Sequence, residues 1–313
     1  RRPCGAPLAR PLARLKPSTH AIVKEKQRIA ILYAVLAAAL YALAIPFSKI
    51  ALKETPPAMT AALLYLGAGT GMALTGWIRK QRKISWKEAP LTRKDTPYIV
   101  GMVALDIAAP ILLMLGLTWA TAAEASLLNN FEIVATAVFA LWLFGEKVSC
   151  RLWTAIGLIT LASMLLAANS TDHFSFSPGA LLVLAAAACW GLENNCTRKL
   201  SAKDPLEIVV IKGLGSGLGS LAIALSIGEA FPEARMLPAI LLLGFVAYGL
   251  SIFFYVYAQR YIGAAQTSAY YALAPFIGVF LSFLLLGERP GGNFFLALAV
   301  MTLGTYLAAA KRE

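Results

Sequence analysis

Residues 119–147 read WATAAEASLLNNFEIVATAVFALWLFGEK, and residues 261–289 read YIGAAQTSAYYALAPFIGVFLSFLLLGER. Under a single offset of 142, Ala122-Ala123 falls on Ala264-Ala265 and Ser126 on Ser268. Gly145-Glu146-Lys147 falls in the same way on Gly287-Glu288-Arg289. Each stretch is long enough to cross a bilayer as one helix and closes on a Gly-Glu-basic corner. A long period repeated only twice marks two similar halves rather than a solenoid. A second pair agrees: YALAIPFSKIAL at 41–52 aligns with WGLENNCTRKLS at 190–201, with Lys49 on Arg198.

Composition sets the class. Hydrophobic residues make up 59% of the 313 and charged residues only 14%, against about 25% charged in soluble domains. Ten windows are apolar enough to span: 29–52, 58–78, 97–118, 122–144, 151–169, 179–199, 205–228, 238–259, 264–286 and 293–310. Short connections marked by Pro, Gly or charge separate them, so neighbours run antiparallel. The expected fold is an all-α integral membrane bundle of ten transmembrane helices, arranged as two inverted five-helix repeats. Residues 1–28 are a basic cytoplasmic tail without apolar periodicity, expected to be disordered. Residues 29–170 form the first repeat and 171–313 the second. The first apolar run is itself a full span, which argues against a cleaved signal peptide.

The net charge of +12 is explained by where it sits. With the N-terminus inside, 23 of the 28 Lys and Arg residues fall on cytoplasmic segments. This is the positive-inside pattern, and it places both termini in the cytoplasm of a multi-pass protein. Membrane lipids are then the partners of the basic surface, and no nucleic acid is needed. An odd number of helices per half makes the second half start on the opposite side, so the halves are inverted and a site between them is expected.

Polar residues inside the spans are the functional candidates, because a charge at the bilayer centre costs at least about 2.5–3.5 kcal/mol. Asp106 lies near the middle of helix 3, four residues before Pro110. Helix 4 carries Glu124 near its outer end and Glu132 near mid-depth, with Asn129 and Asn130 one turn above. The two glutamates are stacked roughly 12 Å apart along the axis, too far for a tight acid–base pair. Helix 6 holds Glu193, Asn194 and Asn195. Glu193 lies at the depth of Lys212 in helix 7, so either a structural Glu193–Lys212 ion pair or a cavity-facing Glu193 is expected. Pro46 should loosen helix 1. Gly213/Gly217 and Gly215/Gly219 are spacings for close helix approach. Helix 9 offers Tyr270 and Tyr271, one of which should line a cavity, and helices 5 and 10 read as support or homodimer-contact helices.

The cysteines, Cys4, Cys150, Cys189 and Cys196, show no metal-ligand spacing, and His20 and His173 lie outside the spans. No nucleophile–base set and no nucleotide loop can be assembled. Neither catalysis nor a cofactor is expected.

The ten-helix duplication, the LFGEK and LLGER corners and the WGLENNCTRKL opening of the second half resemble the drug/metabolite transporter superfamily. EamA-domain bacterial transporters are the nearest branch. The resemblance covers roughly residues 29–310 and implies a secondary carrier of small metabolites in the inner membrane, often an exporter. It implies a central cavity lined by helices 1, 3, 4, 6, 8 and 9. The family commonly has a mid-helix proline in both repeats; Pro275 keeps it, and Ile133 stands at the matching place in helix 4. The combined expectation is a carrier whose inverted halves rock about a midplane cavity. Glu132, Asn129, Asn130, Asp106, Glu193, Asn194, Tyr270 and Tyr271 would line it, and Glu132 or Asp106 would carry any coupled proton. Acidic and aromatic linings favour a cationic or zwitterionic small-molecule substrate such as an amino acid or amine. The alternatives are a membrane enzyme acting on a lipid-like substrate and a non-transporting scaffold.

Overall fold

The computed structural model describes residues 17–82, 89–144, 149–167, 177–200 and 203–309, and among these residues the chain is helical with no named strand. The helices are α1 (Pro17–Ala42), α2 (Ala44–Ala51), α3 (Pro57–Gln81), α4 (Thr96–Trp119), α5 (Ala122–Leu128), α6 (Phe131–Phe144) and α7 (Cys150–Ala167). They continue with α8 (Pro178–Leu200), α9 (Pro205–Ser226), α10 (Leu237–Gly244), α11 (Ser251–Tyr271), α12 (Ala274–Leu286) and α13 (Gly292–Ala309). A π-helical turn, Phe245–Leu250, joins α10 to α11. Seven of the described helical stretches are long and apolar enough to cross a membrane. Among the described residues, three of the ten expected windows fall short of that measure: α8 carries the Glu193-Asn194-Asn195 run, and α12 and α13 are shorter apolar helices. The tail differs from expectation as well. Residues 17–28 are the first turns of α1, opened by Pro17 at a position where a missing N–H costs nothing.

Two expected spans are broken inside the bundle, each for a local reason. Helix 1 breaks at Leu43 because Pro46 has no N–H for the carbonyl of Ala42, four residues earlier. Helix 4 breaks at Asn129-Asn130 without any proline: Asn130, Glu132 and Ile133 each bond the carbonyl three residues back, which tightens the backbone there. The matching interruption in the second half is Ala272-Leu273, just ahead of Pro275. Within α11 the chain doubles back. Tyr255 and Tyr271 have ring centroids 4.8 Å apart, whereas a straight helix would separate them by roughly 24 Å.

The packing follows the duplication. Helix α3 runs antiparallel to α9: Gly76 meets Leu206, Gly69 meets Gly213 and Leu214, and Leu66 meets Gly217. The four glycines of α9 divide between two neighbours, with Gly213 and Gly217 against α3 and Gly215 and Gly219 against Val103 and Ile107 of α4. The close pair α4·α8 has its counterpart in α1·α11, and α7 packs on α13. Helix α5 lies antiparallel to α12, with Ser126 against Gly278 and the Glu288 carboxylate accepting from the Ala122 and Ala123 N–H groups, both at 2.8 Å. Glu288 follows Gly287, whose left-handed φ of 63° ends α12 and turns the chain so that the carboxylate reaches the N-terminus of α5. The equivalent corner at 145–147 lies outside the described residues. Lys49 donates to the Leu117 and Ala120 carbonyls and so satisfies the C-terminal end of α4.

Burial is inverted relative to a soluble protein. Asp106 and Glu193 are buried, while Trp142, Leu284, Phe280 and Trp119 stand exposed on the outside. That distribution fits a protein whose surroundings are hydrocarbon.

Candidate functional site

Polar side chains gather between α1, α3, α4, α6, α8 and α9. Lys212 reaches from α9 to two carboxylates at once, 3.0 Å from Asp106 Oδ2 on α4 and 3.1 Å from Glu193 Oε2 on α8. Asp106 Oδ1 accepts from the Tyr65 hydroxyl at 3.1 Å, and that hydroxyl accepts from Trp190 Nε1 at 3.4 Å. Glu193 Oε1 also accepts from the Thr197 hydroxyl one turn away. Two carboxylates share one ammonium here, and each carries a further donor from a side chain of the bundle. Such a knot holds α4, α8 and α9 together, and losing its cation would leave two buried charges unopposed.

Glu132 is placed differently. It sits in the first turn of α6, just past the Asn129-Asn130 break, and is half-buried. Its Oε1 accepts from Asn194 Nδ2 at 2.5 Å, and no Lys or Arg pairs with it among the described residues. The Asn194 amide also reaches Thr136 Oγ1 at 3.3 Å. Asn195 is structural: its amide donates to the Thr136 and Gly191 carbonyls at 3.1 and 2.9 Å, holding α8 against α6. That contact is close enough for Gly191 to leave no room for a Cβ beside Ala135 and Thr136.

A tyrosine cluster connects the two regions. Tyr41 stacks edge-on with Tyr248 at 5.8 Å and lies 5.5 Å from Tyr271, and Tyr248 in turn lies 5.3 Å from Tyr65. The Tyr271 hydroxyl is 3.3 Å from Ser251 Oγ, which donates to the Ala37 carbonyl. Asn129 Nδ2 meets the Tyr41 hydroxyl at 3.4 Å. Asn130 turns back on its own helix, its amide on the Leu127 carbonyl at 3.2 Å. Tyr270 is half-buried and makes no ring contact with the cluster among the described residues. Of the residues expected together, Asp106 and Glu193 share Lys212, Glu132 meets Asn194, and Asn129 and Tyr271 meet at Tyr41.

The model of the EamA-like transporter family matches residues 28–168 and 177–310, one copy over each half. The chain belongs to the EamA-like transporter family. An uncharacterized transporter of Methanothermobacter thermautotrophicus (strain Delta H) is 29% identical over 211 residues, covering 64% of this chain and 61% of that relative. A solved crystal structure with 19% identity superposes with a TM-score of 0.65, over 89% of this chain and 95% of the other, and so shares its fold.

Within this EamA-like bundle, Tyr65 and Thr136 lie in apolar runs that carry no motif, and Tyr41 and Trp190 open the aligned stretches 41–52 and 190–201 without being singled out as site residues. The available signal was chemical: a tyrosine hydroxyl or indole N–H buried in a span must find a partner, so each marks a polar neighbour.

Proposed function

We propose that this protein is a secondary carrier for a small cationic or zwitterionic metabolite, such as an amino acid or an amine. Ten spans form two inverted five-helix units that rock about the polar centre. Inversion is supported by α3 running antiparallel to its counterpart α9, and by α5 of the 122–144 stretch running antiparallel to α12 of the counterpart stretch 264–286. The α4·α8 and α1·α11 pairs add support, since each is carried onto the other when the halves are exchanged.

The observation that carries the substrate class is the state of Glu132. Asp106 and Glu193 already have a cation in Lys212, whereas Glu132 has an amide partner and no ion pair among the described residues. A carboxylate with no cation of its own suits an ammonium group. Asn194 orients the carboxylate, and the Tyr41 hydroxyl offers a hydrogen bond to the rest of the solute. Broken helices beside such a site supply unpaired backbone groups and the freedom to move, as in other carriers built from repeats.

A thermal-shift screen of the purified chain against amino acids, primary amines and dicarboxylates tests the reading, followed by counterflow in proteoliposomes for each stabilising compound. Stabilisation by ammonium-bearing compounds and their saturable counterflow are expected. Stabilisation by dicarboxylates alone would reject the substrate class.

A further inference from the structure

Three helix interruptions meet at one point: Leu43 between α1 and α2, Asn129-Asn130 between α5 and α6, and Ala272-Leu273 between α11 and α12. A small cavity lies between them, lined by Tyr41, Ala42, Ser126, Asn129, Pro275 and Gly278. It has room for about one water-sized occupant. Two polar side-chain atoms of its lining, Ser126 Oγ and Asn129 Oδ1, have no partner, and the Ala42 carbonyl lacks its usual helical one. The Ala42 carbonyl would accept from residue 46 in a continuous helix, and Pro46 has no N–H to give. Ser126 Oγ and Asn129 Oδ1 are buried, their residues 1% and 4% exposed, and neither atom has a hydrogen-bond partner. The Asn129 amide nitrogen is already used on Tyr41, which leaves Oδ1 for the cavity. Ser126 Oγ and the Ala42 carbonyl converge on the bare face of Gly278, where a methyl group would stand 2.9 and 3.5 Å from them.

Orphaned oxygens around a one-atom space take either a water, which donates to them, or a small cation. None of the residues around this cavity is charged, so a divalent ion, which recruits carboxylates, is a poor fit. Helices α1 and α5 end here and turn their carbonyl ends toward it. Helix α12 begins here, and Pro275 in its first turn removes one of the N–H groups that would oppose a cation. We infer that this cavity binds one desolvated monovalent cation, Na+, through the Ala42 carbonyl, Ser126 Oγ and Asn129 Oδ1. The ligands come from α1 and from α5 with its break to α6, all in the first half, and the floor comes from α12 in the other half. An ion there would brace the break that precedes Glu132. A coupling role for the ion rests on the carrier reading; binding of the ion does not, so binding alone is the readout.

The purified full-length chain is melted in NaCl and in choline chloride at equal ionic strength, since choline is too large for the cavity. The wild type should gain a saturable rise in melting temperature of about 2 °C or more in Na+. Gly278→Ala fills the space without removing an oxygen, and Ser126→Ala removes an oxygen without filling the space. Ser126→Ala should melt normally in choline, Gly278→Ala a few degrees lower because its methyl crowds Ser126, and both should lose the Na+ response. Equal melting of the wild type in the two salts overturns the site, as does an undiminished Na+ response in either variant that elutes as folded protein. Failure of every metabolite in the counterflow assay, with the Na+ response intact, would reject the carrier reading and leave the ion site standing.

Discussion

Two acidic regions lie within one bundle, and they are treated in opposite ways. Around Lys212, Asp106 and Glu193 are buried, paired with the same ammonium and further bonded to Tyr65 and Thr197. Around Glu132, the carboxylate stands past a broken helix with one amide donor, and Asn129 Oδ1 nearby has no partner. Satisfied charge is what a structural knot requires. Charge left without its counterion, next to a helix interruption, is what a site requires that must exchange ligands. The contrast separates Asp106 and Glu193, which hold the bundle, from Glu132, which is left without an ion pair.

The largest effect should come from the knot. Lys212→Met leaves two carboxylates facing each other without their cation and should cost about 3–5 kcal/mol, seen as loss of the monodisperse species in fluorescence-detected size-exclusion. Next comes the other side. Glu132→Gln keeps the hydrogen bond from Asn194 in kind and should leave melting within about 1 kcal/mol of wild type. Saturable solute counterflow should nonetheless fall roughly ten- to a hundredfold, the worth of one charge-assisted contact. If the two variants instead lost stability alike, the division between them would be wrong.

Smaller effects sharpen the boundary of each region. Glu288→Gln weakens the cap on the N-terminus of α5 and should cost about 1 kcal/mol, with counterflow retained once the protein is folded. Tyr270→Phe should change neither melting nor flux by a measurable amount, because its hydroxyl has no partner in the cluster. A flux defect in Tyr270→Phe would place that face of α11 in the site.

Much of this was legible in the sequence where period and chemistry coincide. The offset of 142 and the composition gave the two-part membrane bundle, and the glycine spacing in α9 gave a helix pressed between two neighbours. The break in helix 1 could be read from Pro46. The break at Asn129-Asn130 could not, because no proline marks it; Ile133 stands where the second half has Pro275, and the tightened turn comes from backbone bonds that no residue type signals. Lys212 lies at the depth of Glu193, and residue counting is enough to show it. Its second partner, Asp106, depends on the rotation of α4 about its own axis, which an apolar run on all sides leaves unspecified. The reach of Glu288 across to α5 was hidden for a related reason: repeat positions show which residues correspond, not which ones touch.

Counterflow in proteoliposomes, on two variants side by side, tests the division most directly. In Asp106→Asn/Glu193→Gln/Lys212→Met the knot is replaced by neutral groups, and the account predicts a folded protein that still exchanges solute. Glu132→Gln should fold as well and exchange almost none. Full exchange by Glu132→Gln, together with none by a well-folded triple variant, would contradict the account and move the site to Lys212.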